Sequence, residues 1–304
     1  MTDVKGDGWL DIYICKSAWR KEDNNRNNLL YINQGDGSFR EEAKAYGLAE
    51  NGFSIQSSSF DYEQDGDLDV YITNHPMEFG RPIANRDEKV KNPPEPMRDK
   101  LYRNDGGNKF SEVGRQVGII NYSHGLGIVT SDVNQDGLVD IYVTNDYDEP
   151  DFLYLNQGNG TFRESLQEMT NHISLYAMGV DIADVNNDGL SDIMTTEMLP
   201  ESYKRSKTNM ASMEPEWFVK MTQTGMGYQY MHNSLQINRD NQHFSEISQM
   251  AGVAKTDWSW ACLISDYDND GLKDIFIVNG YKRDVFDKDF AKESAKIIAK
   301  NNGN

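Results

Sequence analysis

The chain has 304 residues, and its 30 Lys and Arg face 49 Asp and Glu, a formal net charge of -19. That balance argues against nucleic acid and anionic membrane surfaces as partners, because neutralising phosphates needs basic patches. No apolar run is long enough to span a bilayer as a helix. The two cysteines, Cys15 and Cys262, read as buried free thiols and not as a disulfide framework.

The first element in chain order is an acidic loop, DVKGDGWLD at residues 3–11, which runs into the strand pattern DIYIC. The same loop returns as DYEQDGDLD (61–69), DVNQDGLVD (132–140), DVNNDGLSD (184–192) and DYDNDGLKD (266–274), each followed by an aliphatic strand. Between loops lie hairpin patterns at 29–48, 101–119, 152–169 and 234–253, whose second strands open with Phe39, Phe110, Phe162 and Phe244. From that Phe to the next loop's first Asp is 22 residues in all four cases, whereas loop to Phe takes 36, 49, 30 and 60. Half of each repeat is thus rigidly specified and half accepts insertions.

A segment such as FSIQSSSF before Asp61 or GLGIVTS before Asp132 supplies a strand A that ends at the loop. Strand B follows the loop, and the hairpin gives strands C and D. Four strands in a repeat of roughly 40–50 residues is the arithmetic of a propeller blade. The period-two alternation and the β-branched and aromatic content exclude helical repeats. The expectation is all-β: a β-propeller of four-stranded blades with an acidic loop between strands A and B. The first repeat lacks strand A and the last stops after strand B, so the expectation is part of a larger ring, with seven blades as the working number.

Oxygen donors at alternating positions around a glycine turn are what a hard cation such as calcium requires. Positions 1, 3, 5 and 9 supply side chains and position 7 its carbonyl. The expected ligands are Asp3, Asp7, Trp9 and Asp11; Asp61, Glu63, Asp65, Asp67 and Asp69; Asp132, Asn134, Asp136, Leu138 and Asp140; Asp184, Asn186, Asp188, Leu190 and Asp192; Asp266, Asp268, Asp270, Leu272 and Asp274. Lys5 holds position 3 of the first loop and places an ammonium where an oxygen belongs, which weakens that site. An EF-hand is excluded, since its position-12 Glu is here Ile14, Ile72, Val143, Thr195 or Ile277.

On these motifs the chain resembles the FG-GAP or VCBS-type repeat proteins, whose seven-bladed propeller is best known from integrin alpha subunits. Residues 124–145 (HGLGIVTSDVNQDGLVDIYVTN), 225–238 (GMGYQYMHNSLQIN) and 257–285 (DWSWACLISDYDNDGLKDIFIVNGYKRDV) are similar to propellers of secreted or surface bacterial proteins of the ASPIC/UnbV, cartilage acidic protein-like group. The resemblance covers residues 1–285 and implies an extracytoplasmic, calcium-bearing propeller. Residues 286–304 read as a helix that opens a further insertion.

No nucleophile elbow, phosphate loop or HExxH is present, and His75, His124, His172, His232 and His243 show no metal-ligand spacing. A binding module for a glycan or protein partner is therefore expected ahead of a structural spacer or the propeller of a polysaccharide-active enzyme. The partner site is expected on the face away from calcium. There the long insertions at 74–98 and 197–232 would meet a ring of side chains eight residues ahead of each loop: Phe53, His124, Tyr176 and Trp258. Trp217 and Tyr228 from the second insertion complete that set. The competing expectation is that these rings pack between blades.

Overall fold

The computed structural model describes residues 1–17, 26–76, 91–92, 95, 97–147, 149–209, 214–280 and 287–301. Successive repeats form successive antiparallel sheets, and the three four-stranded ones are ordered A-B-C-D as the sequence pattern requires. The first has three strands, β1 (Ile12–Ile14), β2 (Leu29–Asn33) and β3 (Phe39–Glu41), followed by a one-turn helix α1 (Ala43–Tyr46). The second contains β4 (Ser54–Phe60), β5 (Asp69–Asn74), β6 (Lys100–Asn104) and β7 (Phe110–Glu112), then α2 (Gly114–Val117). The third contains β8 (His124–Ser131), β9 (Asp140–Asp146), β10 (Phe152–Asn156) and β11 (Phe162–Glu164), then α3 (Leu166–Met169) and the short β12 (Ile173–Ser174).

The fourth sheet begins with β13 (Val180–Ala183) and β14 (Asp192–Thr195). Its insertion then forms α4 (Tyr203–Thr208), α5 (Pro215–Gln223) and β15 (Gln229–Tyr230). The sheet is completed by β16 (Ser234–Asn238) and β17 (Phe244–Glu246), with α6 (Ser248–Ala251) after them. The fifth pairs β18 (Ser259–Ser265) with β19 (Asp274–Asn279), and α7 (Lys288–Asn301) is the helix expected near the end of the sequence. The segment after each Phe-led strand is one turn of helix.

The core lies between sheets. Leu30, Ile32, Val70 and Ile72 join the first to the second; Tyr71, Leu101, Ile141 and Tyr154 join the second to the third. Tyr142, Leu153, Ile193 and Phe244 continue to the fourth, and Met194, Leu235, Ile237 and Cys262 to the fifth. Tight seams explain two glycines that end helical turns in a left-handed conformation. A Cβ on Gly47 (φ 82°) would lie 2.7 Å from the Phe110 carbonyl oxygen, and one on Gly118 (φ 98°) 2.5 Å from that of Phe162.

Strands A of neighbouring sheets run against each other. Gln56 and Ile128 exchange hydrogen bonds of 3.4 and 3.2 Å, and Ile264 donates its amide to Asp181 at 2.7 Å. The register shifts near the start of strand A in three sheets, between Ser54 and Gln56, Gly125 and Gly127, and Ser259 and Ala261. A bulge bends the strand and re-aims the residues beside it.

Candidate functional site

The five loops share one hydrogen-bond plan. The position-1 Asp accepts the position-5 amide at 3.1 Å in every copy and the position-6 Gly amide at 2.7–2.9 Å. The position-5 Asp accepts the position-7 amide, which curls the loop around its own carboxylates. The position-9 Asp fixes the loop to the sheet: Asp11, Asp69, Asp140, Asp192 and Asp274 each accept the position-2 amide. The first four also accept the amide of the last strand-C residue, Asn33, Asn104, Asn156 or Asn238, at 2.8 Å. Position 9 is therefore a hinge pin between loop, strand B and strand C.

The gathered acids strain one another electrostatically. Burial, helped by Asp65, Asp61 and Glu63, pushes Asp67 up to about 6, and its Oδ1 is buried with no donor. Burial pushes Asp69 and Asp140 up to about 7 against the pull of their amide donors. In the fifth loop, oxygens of Asp266, Asp268 and Asp274 lie within 4.8 Å of one another. Asn134 and Asn186, at position 3, turn their amide N–H toward Asp136 and Asp188; a half rotation would present the oxygen instead.

The first loop solves the same problem from within. Lys5 forms an ion pair with Asp7 and donates to the Asn33 carbonyl at 3.4 Å. The hydrogen bond to Lys5 holds the Asp7 carboxyl below its usual range.

Neighbouring loops are also latched together, a feature that spacing alone did not reveal. The position-4 side chain of one loop donates to the position-6 Gly carbonyl of the next: Gln64 to Gly137 at 2.7 Å, Gln135 to Gly189, and Asn187 to Gly271 at 2.9 Å. Position 4 is left-handed in all these loops (φ 58–59°), a conformation that Asn adopts more readily than most residues. Gly6 holds position 4 of the first loop and has no side chain to extend.

The expected rim is mostly interior. Phe53 (5% exposed), His124 (4%) and Trp258 (6%) are buried, and Tyr176 is half-buried. This corrects the reading of the first three as partner-facing: they flank the strand-A bulges, where neighbouring sheets close on each other. Arg26 lies over the Phe53 ring at 4.5 Å, and His124 packs edge-on to His75 at 4.4 Å. Burial, reinforced by His75, pushes His124 down to about 3 and keeps it neutral. The second insertion folds on itself, with Trp217 and Phe218 packed around Leu175, Met221 and Met226. Of the six rings, Tyr228 alone is exposed, at 56%, with Tyr230 beside it at 37%. Most of the insertion at 74–98 lies outside the described residues.

A repeated loop–strand unit with this plan decides the kinship. A family model for the FG-GAP-like repeat matches residues 3–72 and 132–195. The chain carries FG-GAP-like repeats. It is 28% identical over 200 residues to cartilage acidic protein 1 of Xenopus tropicalis, an alignment covering 63% of this chain and 29% of that one. Against cartilage acidic protein 1 of Mus musculus it is 32% identical over 84 residues, 27% of this chain and 13% of the relative. The chain thus spans less than a third of these relatives in the matched regions. A solved structure of an Agrocybe aegerita lectin, which specifically recognises non-reducing terminal N-acetylglucosamine, overlaps with a TM-score of 0.40 at 15% identity. That overlap covers 88% of this chain and 61% of the lectin; at that score it establishes neither a shared fold nor a shared ligand.

Proposed function

We propose that this chain is a calcium-stabilised, extracellular β-propeller module that binds a glycan or protein partner. The observation that carries the reading is the loop row: five copies of one carboxylate-lined turn that gathers acids, with a lysine at a ligand position only in the first. Every donor is a hard oxygen, which suits calcium and disfavours thiophilic or imidazole-preferring ions. Asp61, Glu63, Asp65 and Asp69, with their counterparts in the third to fifth loops, would hold the ions. Calcium would neutralise carboxylates that burial otherwise keeps partly protonated.

The seam geometry supports the propeller: sheets follow one another, and strands A meet in an inner row. The outer sheets expose Trp9 and Leu10 at one end and Leu263, Phe276 and Val278 at the other. Further blades of a ring would cover these faces. The likeness to cartilage acidic protein 1 supports an extracellular setting, where millimolar calcium suits loops of moderate affinity.

For the partner, the exposed rings Tyr228 and Tyr230 on the fourth-sheet insertion are the best-placed contacts, since aromatic faces serve sugars and peptides alike. A structural spacer is the second reading, favoured by the burial of Phe53, His124 and Trp258. Screening the calcium-loaded protein against immobilised glycans and extracellular proteins, beside a Tyr228→Ala, Tyr230→Ala variant, separates the two. Retention that the variant loses supports the binding module; no retention at all, or retention that the variant keeps, removes the assigned face.

A further inference from the structure

Two of the five histidines, distant in sequence, meet where the third and fourth sheets join. His172 follows α3, His232 precedes β16 by two residues, and Glu246 ends β17. One ring nitrogen from each histidine and one Glu246 oxygen lie within 4.8 Å of one another. His172 Nε2 is 3.4 Å from Glu246 Oε2, close to the ~3.3 Å edge of a tetrahedron built on metal–nitrogen bonds of about 2.0 Å.

The groups around these three are arranged to hold them. Glu246 Oε1 accepts the amides of Ser248 at 2.7 Å and Leu235 at 3.2 Å, which fixes the carboxylate and leaves Oε2 toward His172. Although burial opposes ionisation, His172, Ser248 and these amides hold Glu246 down at about 2. His232 Nδ1 lies 2.6 Å from the Asn233 carbonyl oxygen and 3.4 Å from Ser248 Oγ; the carbonyl contact requires a proton on Nδ1, so Nε2 is the nitrogen available to a metal ion. A ring nitrogen donating to a backbone carbonyl is the usual outer support of a metal-bound imidazole. The Tyr230 ring stands edge-on to His172 at 5.2 Å and is nearly parallel to His232 at 6.2 Å.

The repeat supplies its own control. Glu41, Glu112, Glu164 and Glu246 end strand D in four sheets, and each accepts an amide from the helical turn that follows. In the second sheet the position matching His232 is Arg98, which neutralises Glu112 through a bond of 2.6 Å to Oε2. In the fourth sheet that fixed cation is replaced by an imidazole, and a second imidazole arrives at His172, where the corresponding positions hold Ala49, Ile120 and Ala254. Two imidazoles and a carboxylate stand where one guanidinium would do.

We propose that His172, His232 and Glu246 form a site for a divalent first-row transition ion such as zinc, independent of the oxygen-only loops. Three protein ligands leave a coordination position open. His172 also lines a cavity of about 250 Å³ shared with Asn171 and Tyr228, from which water or a small donor would reach the ion.

The test is zinc and Co²⁺ binding by the whole chain loaded with calcium, followed by bound-metal analysis after dialysis and by the visible spectrum of Co²⁺. One equivalent of zinc is expected in the parent protein and none in His172→Ala. His232→Arg should also lose it while staying folded, because it recreates the Arg98–Glu112 pairing. Parent protein that retains no more zinc than His232→Arg overturns the proposal. Co²⁺ spectra that do not differ between parent and variants overturn it equally, since bound ion would then sit elsewhere.

Discussion

Strand B joins two acid-rich ends that manage their carboxylates in opposite ways. At the loop end, acids are gathered on one another, half exposed, with amides holding their outer oxygens. At the far end, single acids are buried among neutral donors. Asp99 accepts from the Tyr71 hydroxyl, Thr73, the Asn74 amide and Asn121, and Asp151 from the Tyr142 hydroxyl and the Asn145 amide. On the proposed reading a cation completes the first end, whereas Asp99 and Asp151 at the other already have their donors. The first loop stands between these cases, since Lys5 brings a cation of its own.

The largest effect should come from calcium itself. An ion that binds only the folded state contributes about 2.7 kcal/mol per site at a hundredfold excess over Kd. Chelator should therefore lower the Tm by many degrees, and superimposable melts with and without chelator would erase the contrast between the ends. A smaller effect should appear at the far end. Burial pushes Asp99 and Asp151 up to about 7, while an unfolded Asp titrates near ~3.9. The folded state thus keeps protons that the unfolded chain has lost. This stability is whole below ~pH 4 and fades as pH rises through ~7.

In chelator, denaturant melts at about pH 5 and about pH 8 should differ by a few kcal/mol. Asp99→Asn with Asp151→Asn should shrink that gap. Asn is accommodated there, since Asn28 and Asn233 hold the matching positions in the first and fourth sheets. An unaltered gap would place the pH response elsewhere.

Within the row, Asp136→Ala should cost one calcium ion and about 2–3 kcal/mol of calcium-dependent stability. Asp7→Ala should cost neither, while Lys5→Asn should add an ion. Equal losses from Asp7→Ala and Asp136→Ala would show that the first loop is no exception. The smallest effect, about 0.5–1.5 kcal/mol, belongs to Gln135→Ala, which removes one interloop hydrogen bond. Calorimetric titration should then show a shallower calcium isotherm with unchanged stoichiometry.

Strand order and loop positions were legible in the sequence because each is a local pattern repeated in register, and the late helix because its apolar residues recur at helical spacing. Lys5 was legible for the same reason, as one discordant residue in a fixed frame. The rings were misread because exposure depends on what lies across a seam: Phe53, His124 and Trp258 occupy positions that look alike in a loop or beneath a neighbouring sheet. The His172, His232 and Glu246 cluster was invisible because its members come from two separate connections and the end of one strand. Only Glu246 sits at a repeated position, and that position gave no sign of what it would face. Aligning the repeats on their strand-D Glu would have exposed the exchange of Arg98 for His232.

The interloop latches give the row a direction: the second, third and fourth loops each reach forward from the fourth residue and grip the sixth residue of the next loop. Ordering one turn fixes the carbonyl that its predecessor grips, so loops two to five should fill as a nearest-neighbour series, like beads on one thread. The first loop, with Gly6 at the reaching position, hangs outside that thread. Its neighbours should therefore lose their ions together on dilution of calcium, while it neither joins nor hinders them.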